Sequence, residues 1–124
     1  MKTSQGNRKV MVVDDDEFMI MNYKIMLIEN GFDVAEAANG LEAISVYKDF
    51  QPDIVLMDIN MPEMDGLAAL KEIKKMDPDA KVAMVTATSQ QALVIEANKS
   101  GAIDFLLKPF DQEQILGAVK KHLT

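Results

Sequence analysis

Residues 10–16 read Val-Met-Val-Val-Asp-Asp-Asp, an apolar run that ends abruptly on three acids. A continuous apolar run of this kind is typical of a strand buried on both faces of a parallel sheet. Three more apolar runs each end on a polar residue: Ile54-Val55-Leu56-Met57 before Asp58, Lys81-Val82-Ala83-Met84-Val85 before Thr86, and Ile103-Asp104-Phe105-Leu106-Leu107 before Lys108-Pro109. Because open parallel sheets carry their chemistry just beyond the carboxyl ends of the strands, we expect these polar side chains to meet at one edge.

Segments with helical patterning separate these runs. The expected strands span about 9–13, 32–37, 54–57, 82–86 and 103–107, and the expected helices span about 16–30, 39–50, 67–76, 89–100 and 111–122. Only the segment 32–37 alternates apolar and polar residues, which is typical of a half-exposed edge strand. The sequence therefore predicts an α/β fold: a doubly wound, flavodoxin-like, five-stranded parallel sheet of order 2-1-3-4-5 with five helices. This order makes strands 1 and 3 neighbours, so Asp14 and Asp15 are expected beside Asp58.

Composition bounds the class of protein. A chain of 124 residues with 48% hydrophobic residues has the size and the apolar content of one globular domain. No apolar stretch approaches the roughly 18 residues of a membrane helix, and residues 1–7 lack the apolar stretch of a signal peptide. We expect residues 1–7 to form a flexible tail and residues 8–124 to form the domain. The absence of cysteine excludes disulfides and thiolate metal sites and fits a cytoplasmic location. A net charge of −7 argues against direct nucleic-acid binding.

Four short motifs stand at the strand ends in a specific order. They are VVDDD at 12–16, DINMPEMDG at 58–66, VTA at 85–87 and KPF at 108–110. With these motifs, the chain from about residue 8 to 122 resembles a response-regulator receiver domain of two-component signalling, of the single-domain chemotaxis type. The resemblance implies that a sensor histidine kinase or a histidine phosphotransfer protein donates a phosphoryl group to Asp58. It also implies Asp14 and Asp15 as an acidic metal-binding pair, Lys108 as the lysine that pairs with the phosphoryl group, Thr86 as the switch hydroxyl and Phe105 as the switch aromatic.

The residue chemistry agrees with these implied roles. A carboxylate attacks a phosphoryl group poorly unless the surroundings cancel their mutual repulsion, and Mg²⁺, for which Mn²⁺ can substitute, would do so with oxygen ligands. We expect Asp15, Asp58 and the Asn60 backbone carbonyl as direct ligands, with Asp14 acting through water. Thr86 and the Ala87 backbone are expected to donate hydrogen bonds to the phosphoryl oxygens. The resemblance also predicts a cis Lys108-Pro109 bond.

Other interpretations of these residues remain open. Asp16 is expected to cap the first helix rather than bind metal. A metal-dependent phosphatase with an Asp58 nucleophile would need a general acid two residues later, where Asn60 stands. A phosphorelay intermediate that passes the group to another histidine is not separated from a binding switch. We expect the protein not to be an enzyme beyond promoting its own phosphorylation and dephosphorylation, and to be a monomer or a weak phosphorylation-dependent dimer.

Two surfaces are candidates for partner binding. The resemblance places a phosphorylation-dependent protein target on the face formed by helix 4, strand 5 and helix 5. Helix 1 carries two apolar stripes instead of one, which is unusual for a surface helix. The stripe expected in the core consists of Met19, Tyr23, Met26 and Leu27, and the second stripe consists of Phe18, Met21, Ile25 and Ile28. We expect Ile25 and Ile28 to be exposed and the second stripe to receive a kinase histidine domain, unless helix 1 simply has a wide buried face.

Overall fold

Strands and helices alternate along the chain in the computed structural model, which describes residues 7–61, 64–87 and 90–123. The strands are β1 Lys9–Val13, β2 Asp33–Ala37, β3 Ile54–Asp58, β4 Val82–Thr86 and β5 Asp104–Leu107. The helices are α1 Glu17–Glu29, α2 Gly40–Phe50, α3 Gly66–Met76, α4 Gln91–Lys99 and α5 Gln112–Leu123. Of the predicted tail, residues 1–6 lie outside the described residues. So does Ser89, where the fourth helix was expected to begin.

The five strands form one parallel sheet in the order β2-β1-β3-β4-β5. The predicted order 2-1-3-4-5 is therefore confirmed. β2 lies at an edge, as its alternating sequence indicated, and its Asp33 and Glu36 are exposed. β1, β3 and β4 lie inside the sheet, and β3 and β4 are buried throughout. This topology brings the carboxyl ends of β1 and β3 together.

Side chains at the helix starts fix where the helices begin. The Asp16 carboxylate accepts a hydrogen bond from the backbone N–H of Phe18 at 2.9 Å, so the predicted capping role of Asp16 is confirmed. Asn39 caps α2 in the same way, since its side chain accepts from the Glu42 N–H at 2.8 Å. α1 ends at Asn30 before Gly31, whose φ of +88° lies in the left-handed region that glycine adopts without strain.

Helices cover both faces of the sheet and create two apolar layers. One layer lies under α2, α3 and α4 and includes Met11, Met57 and Met84 from the strands. The other lies under α1 and α5 and includes Val12, Leu56 and Val85. Neighbouring strand residues alternate between these layers because successive side chains point to opposite faces. None of the helices in the described ranges combines the length and apolar character needed to cross a membrane.

Helix α1 buries one stripe of apolar side chains and exposes another. Tyr23, Met26 and Leu27 are buried as expected. The core stripe also includes Ile20, which the sequence analysis did not assign, whereas Met19 is only partly buried. The second stripe is exposed: Phe18 64%, Met21 60%, Ile25 52% and Ile28 55%. The predicted exposure of Ile25 and Ile28 is thus confirmed. The alternative prediction, that helix 1 has one wide buried face, is wrong.

Candidate functional site

Polar residues gather at the carboxyl edge of the sheet. Asp14 follows β1, Asp58 is the last residue of β3 and Thr86 is the last residue of β4, while Lys108 follows β5. The strand register pairs Val13 with Met57 and Thr86 with Leu107, so the four strand ends lie at the same level. Parallel strands that end in register therefore bring residues far apart in sequence to one site.

Three carboxylates converge at this edge. Asp14, Asp15 and Asp58 each offer one oxygen, and these oxygens all lie within 4.8 Å of one another. Asp14 and Asp58 are buried, with 2% and 7% of their surface exposed, whereas Asp15 is exposed. The convergence that the strand order predicted is confirmed. The metal-binding role of these residues stays a prediction.

Lys108 reaches into the carboxylate cluster. Its Nζ lies 2.9 Å from Asp14 Oδ2, where it donates a hydrogen bond, and 3.7 Å from Asp58 Oδ2. The backbone N–H of Lys108 donates to the Thr86 carbonyl oxygen at 2.8 Å, which ties the lysine to the end of β4. The Lys108-Pro109 bond is cis, as the resemblance predicted. One cation is therefore shared between two buried carboxylates.

The surroundings of Asp58 favour its protonated form. Burial raises the pKa of Asp58 from 3.8 to about 6, the Lys108 charge opposes this rise, and the Asp14 charge adds to it. The Ile59 N–H, which donates to the carboxylate, lowers the pKa, and the Asp15 charge raises it. Because the net shift is upward, Lys108 alone does not compensate the desolvated negative charge at this edge.

Lys108 itself is held in its charged form. Burial acts to lower its pKa, but the hydrogen bond to Asp14 and the charges of Asp58, Asp14 and Asp16 outweigh burial. The pKa of Lys108 is consequently raised, and the ammonium is present throughout the neutral pH range. The acid cluster thus contains a fixed positive charge.

The remaining predicted site residues lie on β4 and β5 or just after β3 and β4. Thr86 is completely buried. Asn60 and Ala87 are exposed, two residues beyond the cluster aspartate and one beyond the threonine. Phe105 is partly buried and packs against the apolar layer under α2, α3 and α4. Thr86 and Phe105 occupy adjacent strands, with Thr86 beside Leu107 in register.

Gly66 supports the site in a way that the sequence analysis did not identify. Its N–H donates to the Ile59 carbonyl oxygen at 2.8 Å, and a Cβ at this position would collide with the backbone carbonyl of Asp58. The end of β3 therefore packs directly on the start of α3. The Asp65-Gly66 pair carried a turn signal, but no sequence signal indicated which backbone group the glycine faces.

Tyr23 is a second neighbour that the sequence assigned only to the core. Its ring is buried and stacks on Phe110, with 5.9 Å between ring centroids. Burial, and after it the charges of Asp14 and Asp58, raise the pKa of the Tyr23 hydroxyl above its usual range. The tyrosine is therefore a neutral wall close to the carboxylates.

The donor set fits a hard divalent cation. All three clustered side chains offer carboxylate oxygens, the ligand type that Mg²⁺ and Ca²⁺ prefer over softer nitrogen or sulfur ligands. The cluster carries three negative charges when ionised, and among the described residues its one ion-pair partner is Lys108. The excess negative charge and the upward shift of the Asp58 pKa are what a site for a dication would show in the metal-free protein.

Comparisons with known proteins agree with this geometry. The family model described as response regulator receiver domain matches residues 10–120. The chain belongs to this family. The receiver domain is 50% identical to the chemotaxis protein CheY of Bacillus subtilis (strain 168), an alignment that covers 94% of this chain and 98% of that protein. The predicted family and fold are both confirmed.

Two further relatives define the class of receiver domain. The sporulation initiation phosphotransferase F of Bacillus subtilis (strain 168) is 35% identical, over 94% of both chains. The solved CheX-CheY-BeF₃-Mg²⁺ complex from Borrelia burgdorferi contains a chain with a TM-score of 0.89 and 34% identity, covering 94% of this chain and 90% of that one. The protein is therefore a two-component signalling protein, a response regulator that accepts a phosphoryl group and switches partner binding. The matches favour neither the phosphatase nor the relay alternative.

Proposed function

We propose that Asp58 is the residue of this receiver domain that accepts the phosphoryl group. The observation that carries the proposal is the setting of its carboxylate. It is buried at the end of β3, with Lys108 Nζ 3.7 Å from one oxygen and with oxygens of Asp14 and Asp15 within 4.8 Å. The Asp58 carboxylate is buried and its pKa is raised, as is common for reactive carboxyl groups.

In the transfer, an Asp58 carboxylate oxygen attacks the phosphorus of a donor phosphohistidine. The new P–O bond forms as the P–N bond breaks, and the electron pair of that bond stays on the imidazole. A pKa of about 6 leaves Asp58 mostly ionised at neutral pH, so no base is needed to generate the nucleophile. Lys108 offsets the repulsion between the carboxylate and the phosphoryl oxygens, and Thr86 and the Ala87 N–H would donate hydrogen bonds to those oxygens.

Mg²⁺, or Mn²⁺ in its place, is the cofactor that we assign to the carboxylate cluster. Asp14, Asp15 and Asp58 would hold it together with the Asn60 backbone carbonyl. When bound, the ion neutralises charge on the phosphoryl oxygens, which with positioning is most of what phosphoryl transfer requires. The solved complex of the Borrelia relative, which contains both Mg²⁺ and BeF₃, supports this assignment.

Phosphorylation is proposed to change the surface of α4, β5 and α5. The phosphoryl group would draw the buried Thr86 hydroxyl toward Asp58, and Phe105 would occupy the space that Thr86 leaves. Ile95 on α4 and Leu107 at the end of β5 are already 47% and 46% exposed, which suits a surface that binds a protein target. The change is a shift between two existing states of the domain.

The remaining assignments concern the domain bounds, the activity, the location and the partners of the protein. Residues 8–124 would form the domain, with residues 1–7 as a tail. The protein would catalyse only its own phosphorylation and dephosphorylation, in the cytoplasm, and would bind neither nucleic acid nor membrane directly. Its phosphoryl donor would be a sensor histidine kinase or a histidine phosphotransfer protein. We assign it as a monomer that dimerises weakly, if at all, on phosphorylation.

Phosphorylation of Asp58 can be tested with a small donor. With acetyl phosphate and Mg²⁺, the parent should gain one phosphoryl group by intact-mass spectrometry, and chelation of the metal should prevent this. Asp58→Asn should remain unlabelled because the amide lacks a nucleophilic oxygen. Asp16→Asn, which changes the helix cap outside the cluster, is the control and should still be labelled. Full labelling of Asp58→Asn would reject the assignment.

The switch can be separated from the chemistry at Thr86. Thr86→Ala should still accept a phosphoryl group, because Asp58 and Lys108 remain. It should not increase its affinity for the target, since no hydroxyl follows the phosphoryl group. The measurement is target binding by phosphorylated and unphosphorylated protein, for the parent and the variant. Equal phosphorylation-dependent gains in affinity would contradict the coupling.

The exposed stripe of α1 is proposed to receive the phosphoryl donor. Its N-terminal end lies beside Asp14–Asp16, so a bound histidine domain could present its phosphohistidine to Asp58. Ile25→Ser should change the free energy of unfolding by no more than roughly 0.5 kcal/mol, as at other surface positions. Transfer from the cognate kinase should fall about tenfold if Ile25 is a binding hot spot, while labelling by acetyl phosphate should not change.

The matched control is Leu41→Ser. Leu41 on α2 is as exposed as Ile25, at 52%, but lies outside the α1 stripe. It should leave transfer from both donors unchanged. Equal slowing of both donors by Ile25→Ser, or a slow kinase reaction with Leu41→Ser, would show that the α1 stripe is not a specific docking surface.

A further inference from the structure

The segment between β3 and α3 carries Asn60, and its path depends on a contact with another helix. The chain leaves β3 after Asp58 and enters α3 at Gly66, and residues 59–61, 64 and 65 of the connecting loop are described. The contact between Gly66 N–H and the Ile59 carbonyl oxygen closes the base of this loop. Farther along, Met64 reaches the start of α2, where its carbonyl oxygen accepts a hydrogen bond from the Gly40 N–H at 2.9 Å. The loop is thus fixed at two points.

Gly40 leaves no space for a side chain at this contact. A Cβ on Gly40 would collide with the Met64 carbonyl oxygen and would lie 2.8 Å from both Cβ and Cγ of Met64. Met64 Cγ can rotate away from such a clash, but Met64 Cβ and the carbonyl oxygen move only if the backbone of Met64 moves. The contact would therefore convert an added methyl group into a displacement of the loop backbone.

The local backbone gives no other reason for glycine at position 40. Gly40 is the first residue of α2 and has no positive φ, unlike Gly31 and Gly101. Alanine is favoured over glycine in helices by as much as about 1 kcal/mol, so helix propensity argues for a side chain here. The close approach of Met64 is what excludes one.

Hydrogen bonds also hold the start of α2 in its position next to Met64. The Asn39 side chain accepts from the Glu42 N–H at 2.8 Å, and the Glu42 carboxylate accepts from the Ala38 N–H at 3.1 Å. Together these two bonds hold the first turn of the helix to the residues that precede it. Gly40 is buried between this turn and the loop. Because these bonds hold the helix start in place, we expect an added Cβ at position 40 to act on Met64.

We propose that Gly40 is a positioning residue for metal binding and phosphoryl transfer at Asp58. Gly40 holds Met64, which lies four residues after the proposed ligand Asn60 in the same loop, although Gly40 itself would touch neither metal nor phosphoryl group. This inference rests on the proposed magnesium site. It adds a part of the site that lies on α2, a helix that contributes no other group to the chemistry.

The test is Gly40→Ala, with Mg²⁺ affinity measured by titration of backbone amide NMR shifts. Displacing groups that orient metal ligands typically weakens metal affinity by about 10- to 100-fold, and we expect a loss in this range. Labelling by acetyl phosphate should slow at low Mg²⁺ and recover toward the parent rate as Mg²⁺ is raised, because the carboxylates and Lys108 are intact. An unchanged Mg²⁺ affinity in a folded Gly40→Ala protein would overturn the proposal.

Two control variants separate positioning from general effects. Gly117→Ala makes the same chemical change on α5, where a Cβ meets nothing within 4 Å, and should leave Mg²⁺ affinity unchanged. Val119→Ala removes methyl groups from a fully buried side chain far from the loop and should lower the melting temperature without changing Mg²⁺ affinity. If Val119→Ala weakens Mg²⁺ binding as much as Gly40→Ala does, loss of stability explains both and the proposal fails.

A measurement on the parent protein covers the case in which Gly40→Ala does not fold. The Gly40 amide should exchange slowly with solvent hydrogen, and Mg²⁺ should slow it further, because a metal held by the loop would order the Met64 carbonyl. No response of this amide to saturating Mg²⁺ would overturn the coupling. If the parent binds no Mg²⁺ at all, the proposed metal site fails and this inference with it. If the parent binds it but Gly40 has no influence, only this inference fails.

Discussion

Lys108→Met is expected to destabilise the metal-free protein and at the same time to strengthen its affinity for Mg²⁺. Lys108 Nζ lies 2.9 Å from an oxygen of Asp14 and 3.7 Å from an oxygen of Asp58, and both carboxylates are buried. Removing one partner of a buried ion pair costs about 3–5 kcal/mol. Since the Lys108 side chain is 21% exposed, we expect the lower part of that range or somewhat less, about 2 kcal/mol.

The gain in metal affinity has the same electrostatic cause. The ammonium and a divalent cation compete for the same carboxylate oxygens and repel each other. Without the ammonium, the three carboxylates lose their ion-pair partner within the described part of the chain, so the metal should bind more tightly. Phosphorylation by acetyl phosphate should nevertheless slow, because the charge that offsets the attacking carboxylate and the phosphoryl oxygens is missing.

Three measurements check this prediction: thermal unfolding without metal, Mg²⁺ titration and the labelling rate. Lys120→Met is the control, since Lys120 is an exposed residue of α5 away from the cluster, and it should alter none of the three. A Lys108→Met protein that loses both stability and metal affinity would indicate that Lys108 supports the shape of the site. In that case the packing of the Lys108 side chain, and not its charge, would be its main contribution to stability and metal binding.

Much of the fold was predictable because its signals are local. The apolar run 82–85 followed by Thr86 gave the bounds of β4, and Asn39 with Gln51-Pro52 bracketed α2. The alternation in 32–37 identified the edge strand, and from that point right-handed crossovers leave few strand orders. The convergence of Asp14, Asp15 and Asp58 then follows from topology alone.

The contacts within the site were less predictable because they depend on distances that sequence does not encode. The sequence analysis assigned Asp14 only to the metal-binding pair, but its carboxylate lies nearer to Lys108 Nζ than the Asp58 carboxylate does. Replacing Asp14 therefore removes an ion pair as well as a repulsion, whereas replacing the exposed Asp15 mainly removes repulsion. Which of Met19 and Ile20 faces the core depends on the rotation of α1 by about 100° per residue, which periodicity alone did not resolve.

The contacts of glycines are the extreme case. Gly40 and Gly66 both stand at helix starts, where sequence indicates only a boundary. Their neighbours are backbone carbonyls of Met64 and Asp58, and these contacts appear only after β3 and α2 have been assembled around the loop. The sequence motifs therefore predict the reacting groups. The contacts that support those groups depend on tertiary packing and cannot be predicted from the motifs.

Asp58→Asn is expected to gain stability relative to the parent as pH rises from about 4 to about 7 in the absence of metal. The folded protein raises the pKa of Asp58 from 3.8 to about 6, chiefly by burial. Between these two values the folded state binds more protons at Asp58 than the unfolded state does. The free energy of unfolding of the parent should therefore fall as pH rises through this window and level off above it.

The size of the effect follows from the shift. A change of about 2 pKa units corresponds to at most about 3 kcal/mol, since one unit is worth 1.36 kcal/mol. Asp58→Asn lacks the titrating group, so its stability relative to the parent should increase by up to this amount between about pH 4 and pH 7. The amide can also change the free energy of unfolding by an amount that is the same at every pH. Such a contribution does not affect the prediction, which concerns only how the difference between the two proteins changes with pH.

Denaturant unfolding of both proteins across this pH range, without metal and with saturating Mg²⁺, provides the measurement. Mg²⁺ binds the folded state, so it should increase the free energy of unfolding of the parent at pH 7 by mass action. The increase should be smaller for Asp58→Asn, because this variant lacks one carboxylate ligand. The difference between the two proteins should then shrink or reverse with metal present. If the metal-free difference in the free energy of unfolding between the two proteins does not change from pH 4 to pH 7, the pKa of Asp58 is not raised in the folded state. Another carboxylate of the cluster would then carry the excess charge.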